Sequence, residues 1–230
     1  MNTPTAPQPL RTGVLILAAG AGRRMGGRAK CLLEVQGQSL LERLVRAVRG
    51  LGLHTPVLVL GHHTAEIRAH VATWPEHLTP RQVVNPAPED DPASSLHLGL
   101  HALDADVQAV MVLLADQPLI DANDIGAVLH AFQRRPASCQ VVMPVVNGVP
   151  GHPVMFDAAV RADLLATPGT SLKHWRAAHP QATLPWLVDN PHHTRDLDTP
   201  EDVDTLARDT GWVCRWPEPA SGVNTDPVSG

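Results

Sequence analysis

The sequence predicts one α/β domain of three layers, in which helices cover both faces of a mostly parallel sheet. Three observations predict it. Short, continuous apolar runs alternate with longer amphipathic stretches along the chain. Those runs lack the apolar/polar alternation of a half-exposed sheet, which marks strands buried on both faces. The 230 residues suffice for one such domain with a sizeable core.

Each element follows from its pattern. Residues 14–17 (VLIL) form a buried first strand. Residues 40–51 carry apolar side chains at 40, 41, 44, 45, 48 and 51, the spacing of one helix face. Residues 57–60 are the next strand, ended by Gly61, and 64–72 are helical. Residues 82–84 form a short strand. Ser94 is placed to cap a helix through about 103. The most apolar strand is 110–115, ending at Asp116. A helix over 122–134 stops before Pro136, and 141–146 is again a strand. A short strand at 154–156, helices at 158–165 and 170–178 and a strand at 183–188 follow. Pro200 sits in the first turn of a last helix, with Thr199 as its cap. Residues 1–11, with three prolines, read as a tail, as does 211–230, so the domain spans 12–210.

Composition excludes several classes. The net charge is −5, and the aromatic residues are two Phe and five Trp with no Tyr. A nucleic-acid binder would need a basic face and stacking aromatics. Cys31, Cys139 and Cys214 are odd in number and lack CxxC spacing, as in reduced cytoplasmic proteins. No run approaches the ~20 apolar residues of a membrane span, and the apolar core of residues 11–21 is short for a signal peptide and runs into basic residues. His97 and His101 share a helix face, but no third zinc ligand stands at useful spacing.

Sheets of this kind bind ligands beyond the carboxyl ends of their strands, so strand ends carry the search for chemistry. The first strand ends in Leu17-Ala18-Ala19-Gly20-Ala21-Gly22-Arg23-Arg24, with Lys30 closing the loop. It fails the phosphate-loop pattern because Lys30 lies between Ala29 and Cys31. It fails the dinucleotide fingerprint because Met25 holds the third glycine position. The remaining reading is a glycine-rich loop that wraps a triphosphate with backbone amides, Arg24 and Lys30. Asp116 follows the most apolar strand, in Leu113-Leu114-Ala115-Asp116-Gln117-Pro118. Asp196 and Asp198 alternate on an extended segment before Thr199-Pro200-Glu201-Asp202, which suits a hard cation and equally suits a helix cap. Gly148-Val149-Pro150-Gly151-His152-Pro153 marks a tight loop.

The segment LAAGAGRRMGGRAKCLLEVQGQSLLERLV resembles the signature of the molybdopterin nucleotidyltransferases, and its LAAG and DQP forms resemble the molybdenum cofactor cytidylyltransferase branch. The resemblance covers about residues 13–207. It implies a Rossmann-like fold of the nucleotide-diphospho-sugar transferase type and transfer of CMP from CTP to molybdopterin. It implies that Leu17, Ala18, Ala19, Gly20, Gly22, Arg24, Lys30, Asn85 and Asp116 bind the nucleotide. It implies Mg²⁺ on Asp116 and on Asp198 or Asp196. Arg24, Lys30 and Asp116 are its expected catalytic groups, and Ser94, Ser95, Gln117, Gly151 and His152 its expected acceptor contacts. A molybdoenzyme or its chaperone would receive the product. The sequence departs from the family at EDDPA (89–93), at Ser39, and at 167–175 (TPGTSLKHW), where Lys173 is the candidate basic group. GTP, a sugar or alditol phosphate acceptor, a non-catalytic pterin carrier, and a nicotinamide enzyme built on Gly20-x-Gly22 remain as alternatives.

Overall fold

Val14 and Ile16 face one side of the first strand and Leu15 the other, and all three are almost wholly excluded from solvent. That arrangement requires a covering layer on each face, and the computed structural model, which describes residues 10–88 and 93–217, supplies both.

The central sheet is built from β1 (Thr12–Ala18), β4 (Val57–Leu60), β5 (Arg81–Val84), β6 (Ala109–Leu114), β7 (Val141–Val146), β9 (Val154–Asp157) and β10 (Thr183–Leu187). Their order across the sheet is β10-β7-β9-β6-β1-β4-β5, and β8 (Val149–Pro150) hairpins onto β7. Only β8 and β9 run against the rest. β1 stands at the centre, pairing Leu17 with Leu114 of β6 and Ala18 with Leu60 of β4.

On one face, α1 (Leu40–Gly50), α2 (Thr64–Val71) and α4 (Ala122–Gln133) pack Leu41, Val45, Ile67, Val128 and Phe132 onto Val14, Ile16 and Met111. On the other, α3 (Ser94–Ala102), α5 (Ala158–Ala166) and α6 (Leu172–Ala178) pack Leu100, Val160, Leu164 and Trp175 onto Leu15, Val110 and Phe156. A third cluster joins Leu33, Val35 and Leu40 to Leu197 and to Leu206 of α7 (Pro200–Thr210). Local chemistry sets the helix starts. Ser39 Oγ accepts the Glu42 amide at α1. Asp121 with Asp124, and Thr199 with Asp202, form reciprocal capping boxes at α4 and α7.

The predicted elements appear with ends shifted by two residues or fewer. One cap differs: Ser94 is the first residue inside α3, behind Ala93. Its hydroxyl accepts a hydrogen bond from buried Asn85 instead. Three two-residue strands have too little length for a periodic signal. β2 (Glu34–Val35) and β3 (Gln38–Ser39) make a hairpin, and β11 (Cys214–Arg215), from the stretch assigned to a tail, pairs with β2. The EDDP part of EDDPA (89–92) lies outside the described residues. No helix among them is long and apolar enough to cross a membrane.

β1 and β4 end in close contact. A Cβ at Gly61 would stand 2.5 Å from the Ala19 carbonyl oxygen, while one at Gly20 would meet nothing within 4 Å. Gly61→Ala is therefore expected to lower unfolding free energy by about 1–3 kcal/mol in urea titrations, the usual cost of overpacking. Gly20→Ala, measured alongside, should leave stability unchanged. Equal stabilities for the two variants would contradict this packing.

Candidate active site

The parallel strands bring the loops after β1, β4, β5 and β6 to one edge of the sheet. β9 runs the opposite way, so the loop entering it, Gly151-His152-Pro153, arrives at that same edge beside the end of β6. Five segments far apart in sequence therefore meet there.

The loop after β1 is held by its own backbone. The carbonyl of Gly22 accepts the amides of Met25 and Gly27 at 2.8 and 3.0 Å, closing a single 3₁₀ turn over Arg23–Met25. Gly22 adopts φ +61°, and a Cβ there would lie 2.0 Å from the Arg28 carbonyl oxygen, so no other residue fits. Buried Met25 and Ala29 pin the loop to the body. Among the described residues, the amides of Gly20, Ala21 and Gly22 donate no hydrogen bond to protein. They border an open cleft of about 650 Å³ and are free for an anion.

Two carboxylates face that cleft. Asp116 follows β6, and its backbone carbonyl accepts the amide of Leu197 at 3.0 Å, which seats the segment before α7 against the strand end. Buried Leu197 separates Asp196 and Asp198. Asp198 turns inward, where Lys30 Nζ donates to Asp198 Oδ1 at 2.7 Å and to Asp116 Oδ2 at 3.1 Å. The Arg24 guanidinium reaches Asp198 Oδ2 at 2.8 Å. Burial lowers the Lys30 pKa, but hydrogen bonds and charge from the two carboxylates outweigh it and the net shift is upward. The Lys30 hydrogen bond holds Asp198 below the usual carboxylate range, with Arg24 adding to it. Asp196 remains exposed, and partial desolvation with the charges of Asp116 and Asp198 raises it.

Leu17, Ala19, Gly20, Gly22, Arg24, Lys30, Ser95, Asp116 and Asp198 line the cleft together, while Ala18 lines a smaller cavity beside it. Asn85 does not line it: buried, it donates to Ser94 and Ser95 Oγ at 2.7 and 3.0 Å and accepts the Ala87 amide. Gln117 is buried and donates to the His193 carbonyl at 3.1 Å. The same carbonyl accepts the His152 amide at 2.8 Å, and a Cβ on Gly151 would strike it at 2.4 Å. Gln117, Gly151 and His152 thus form one packed cluster anchored on His193. His62, which follows β4 and lines the cleft, was missed in the sequence, although the strand-end rule points to it. Lys173 is exposed, and the half-buried base of its helix is Arg176. Cys31 is buried, and burial pushes its thiol up to about 12, so it packs and does not react. His97 bonds the Thr170 carbonyl at 2.9 Å.

Among the described residues no three His, Cys, Asp or Glu side chains gather in a metal-binding arrangement. Two carboxylates on a cleft lined by unpaired amides nevertheless fit Mg²⁺, which keeps several waters and takes other ligands from substrate phosphates.

Comparison with known proteins places these features in a family. Residues 14–183 match the MobA-like NTP transferase domain. The nicotine blue oxidoreductase of Paenarthrobacter nicotinovorans is 31% identical over 206 residues, which cover 86% of this chain and 94% of that protein. The bifunctional protein GlmU of Nocardia farcinica is 32% identical over 161 residues, 66% of this chain but only 31% of GlmU. Among solved structures, Rv0371c of Mycobacterium tuberculosis H37Rv in complex with manganese superposes with a TM-score of 0.67 at 22% identity, covering 86% of this chain and 98% of that one.

Burial pushes the His152 imidazole down to about 4. The unfolded imidazole protonates near 6.5, so between these values the unfolded state holds a proton that the folded state lacks, and stability is lost as pH falls from about 6.5 toward 4. Urea titrations across that window should show a steeper loss for the wild type than for His152→Gln. Parallel curves would contradict the burial of this ring.

Proposed function

The chain belongs to the MobA-like NTP transferase family, and from that premise we propose that it transfers CMP from CTP to the phosphate of a molybdopterin-type acceptor, releasing pyrophosphate. The observation that carries the reading is the position of Lys30 Nζ, within 3.1 Å of both Asp116 and Asp198 beside an amide-lined cleft.

The reaction brings two anions together, and their repulsion is the main barrier to approach. The amides of Gly20–Gly22 take the triphosphate oxygens, and Arg24 and Lys30 neutralise them. Asp116 and Asp198 would hold Mg²⁺, which supplies charge neutralisation and a template for in-line displacement when bound. Ser95, Gln117 and His152 border the acceptor side, where the attacking phosphate oxygen must lie opposite the leaving pyrophosphate. The nucleophile is already an anion, so no general base is required. The product would pass to a molybdoenzyme or its chaperone.

A second reading has one observation in its favour, the near full-length similarity to a protein named an oxidoreductase. The loop geometry argues against a dinucleotide site of the usual kind. A single 3₁₀ turn follows Gly22, and the first long helix begins only at Leu40, whereas dinucleotide folds place the pyrophosphate on a helix that starts at the glycines. Titration of NAD and NADP against CTP separates the two readings.

Pyrophosphate release measured with Mg²⁺, molybdopterin and each of the four triphosphates should be fastest with CTP. Release with GTP alone, or with sugar phosphates in place of molybdopterin, would replace the substrate assignment. Lys30→Ala and Asp116→Ala should each lose at least about 10²-fold in turnover, the usual effect of removing one preorganised charge. Wild-type turnover in either variant would refute its role.

A further inference from the structure

Among the described residues burial pushes the pKa of three arginines down, and two of the three donate to several backbone carbonyls. Arg135 donates to the carbonyls of Cys139 and Phe132 at 2.8 Å each and lies near Asp157. Arg161 donates to the carbonyls of Leu100, Leu103 and Asp104 and thereby closes the end of α3. Arg176 differs. Its Nε, like that of Arg161, is shut off from solvent without a hydrogen-bond acceptor, but among the described residues its guanidinium makes no hydrogen bond through either Nη and no ion pair. Desolvation lowers its pKa with no neighbouring carboxylate to offset it, unlike the other two. A guanidinium remains charged, and a partly buried one without a counter-ion is costly. An oxyanion arriving from outside would offset that cost.

The fold holds Arg176 in place with care. Its neighbour Trp175 is buried and donates from Nε1 to Asp163 at 3.1 Å. Ser171 Oγ accepts the His174 amide and caps α6. His97 of α3 fastens the preceding loop through the Thr170 carbonyl, so α6 is tied to the helix whose Ser95 lines the cleft. The strand that follows His152 packs Val154 and Phe156 into the same apolar cluster as Trp175, and the charges of Arg176 and Asp116 both act on the His152 ring. Two more polar atoms in this neighbourhood, His152 Nδ1 and Gln117 Oε1, are buried without partners. Buried polar atoms are nearly always paired, and this cluster carries unpaired ones beside an unpaired cation.

We propose that Arg176 forms a binding site for an oxyanion, phosphate or carboxylate, carried by the second substrate. Naming that substrate as the acceptor of nucleotidyl transfer rests on the reading above; the anion site itself does not. The planar fork of guanidinium donors matches an oxyanion in two-point contact, which lysine cannot reproduce. The site adds specificity at a distance from the reacting phosphorus, because an acceptor lacking the anion would leave Arg176 unpaired.

Two measurements test it on the full chain. In wild-type protein labelled with ¹⁵N-arginine, inorganic phosphate should shift the Arg176 Nε–Hε resonance, identified by its absence from Arg176→Gln or Arg176→Lys. A resonance that phosphate does not move overturns the proposal, whichever variant serves for assignment. In steady-state assays with CTP and molybdopterin, Arg176→Gln should raise the acceptor KM by about 10–100-fold, the value of a hydrogen bond to a charged group. Arg176→Lys should recover part of the loss, and the CTP KM should stay within about twofold, as expected for a contact to one substrate only. A rise in the CTP KM with the acceptor KM unchanged would also overturn it. Absence of pyrophosphate release from the wild type would defeat the transfer reading alone, and the resonance shift would still decide the anion site.

Discussion

Asp116 and Asp198 belong to segments with little in common, one at the end of a central strand and one before the last helix, yet both accept a hydrogen bond from the same ammonium. The constraint is electrostatic. Two carboxylates that close repel, and the pair holds only with a cation between them. At about 4 Å and an effective dielectric of ~20, each ion pair has a gross attraction of roughly 4 kcal/mol before desolvation is subtracted. Lys30 supplies that cation, and Arg24 supports it from the solvent side. Much of the surrounding structure can be understood as holding these groups in register. The pairing of Leu17 with Leu114 levels the ends of β1 and β6. Buried Ala29 and Cys31 fix the backbone on each side of Lys30. The Leu197 amide on the Asp116 carbonyl seats the closing segment.

The same arrangement explains why the cleft suits a substrate with several phosphates. The glycine-rich loop offers unpaired amides, Arg24 and Lys30 offer positive charge, and the two carboxylates are the side chains proposed to hold a hard metal ion. Lys30 lies between the two side chains proposed to take the metal and balances their charge. Arg176 stands apart from this charge-balanced centre, and its lack of a counter-ion is informative because Arg135 and Arg161, the other two arginines whose pKa burial lowers, donate to several carbonyls.

Much of this was legible in the sequence. The continuous runs of β1 and β6, the spacing of α1 and the Thr199-Pro200 start of α7 each carry a local physical signal that the fold obeys. The cleft-lining loop and Asp116 follow from the rule that ligands sit beyond strand ends. Other features depend on partners that no local pattern reveals. Ser94 has the chemistry of a helix cap, but Asn85, brought alongside by β5, claims its hydroxyl. β2, β3 and β11 are held by pairing across distant segments and are too short to show periodicity. Arg176 looks like any charged residue on an amphipathic helix, whereas exposed Lys173 stands in the more suggestive position. Only the packing of α6 against the α3 side distinguishes them.

The most direct test of the central claim is a crystal structure with CTP and Mg²⁺ bound. The account predicts that Lys30 Nζ leaves the carboxylate pair for the triphosphate oxygens, that Asp116 and Asp198 take the metal, and that the Gly20–Gly22 amides point at phosphate. A structure in which Lys30 still bridges Asp116 and Asp198 while the nucleotide lies elsewhere would contradict it.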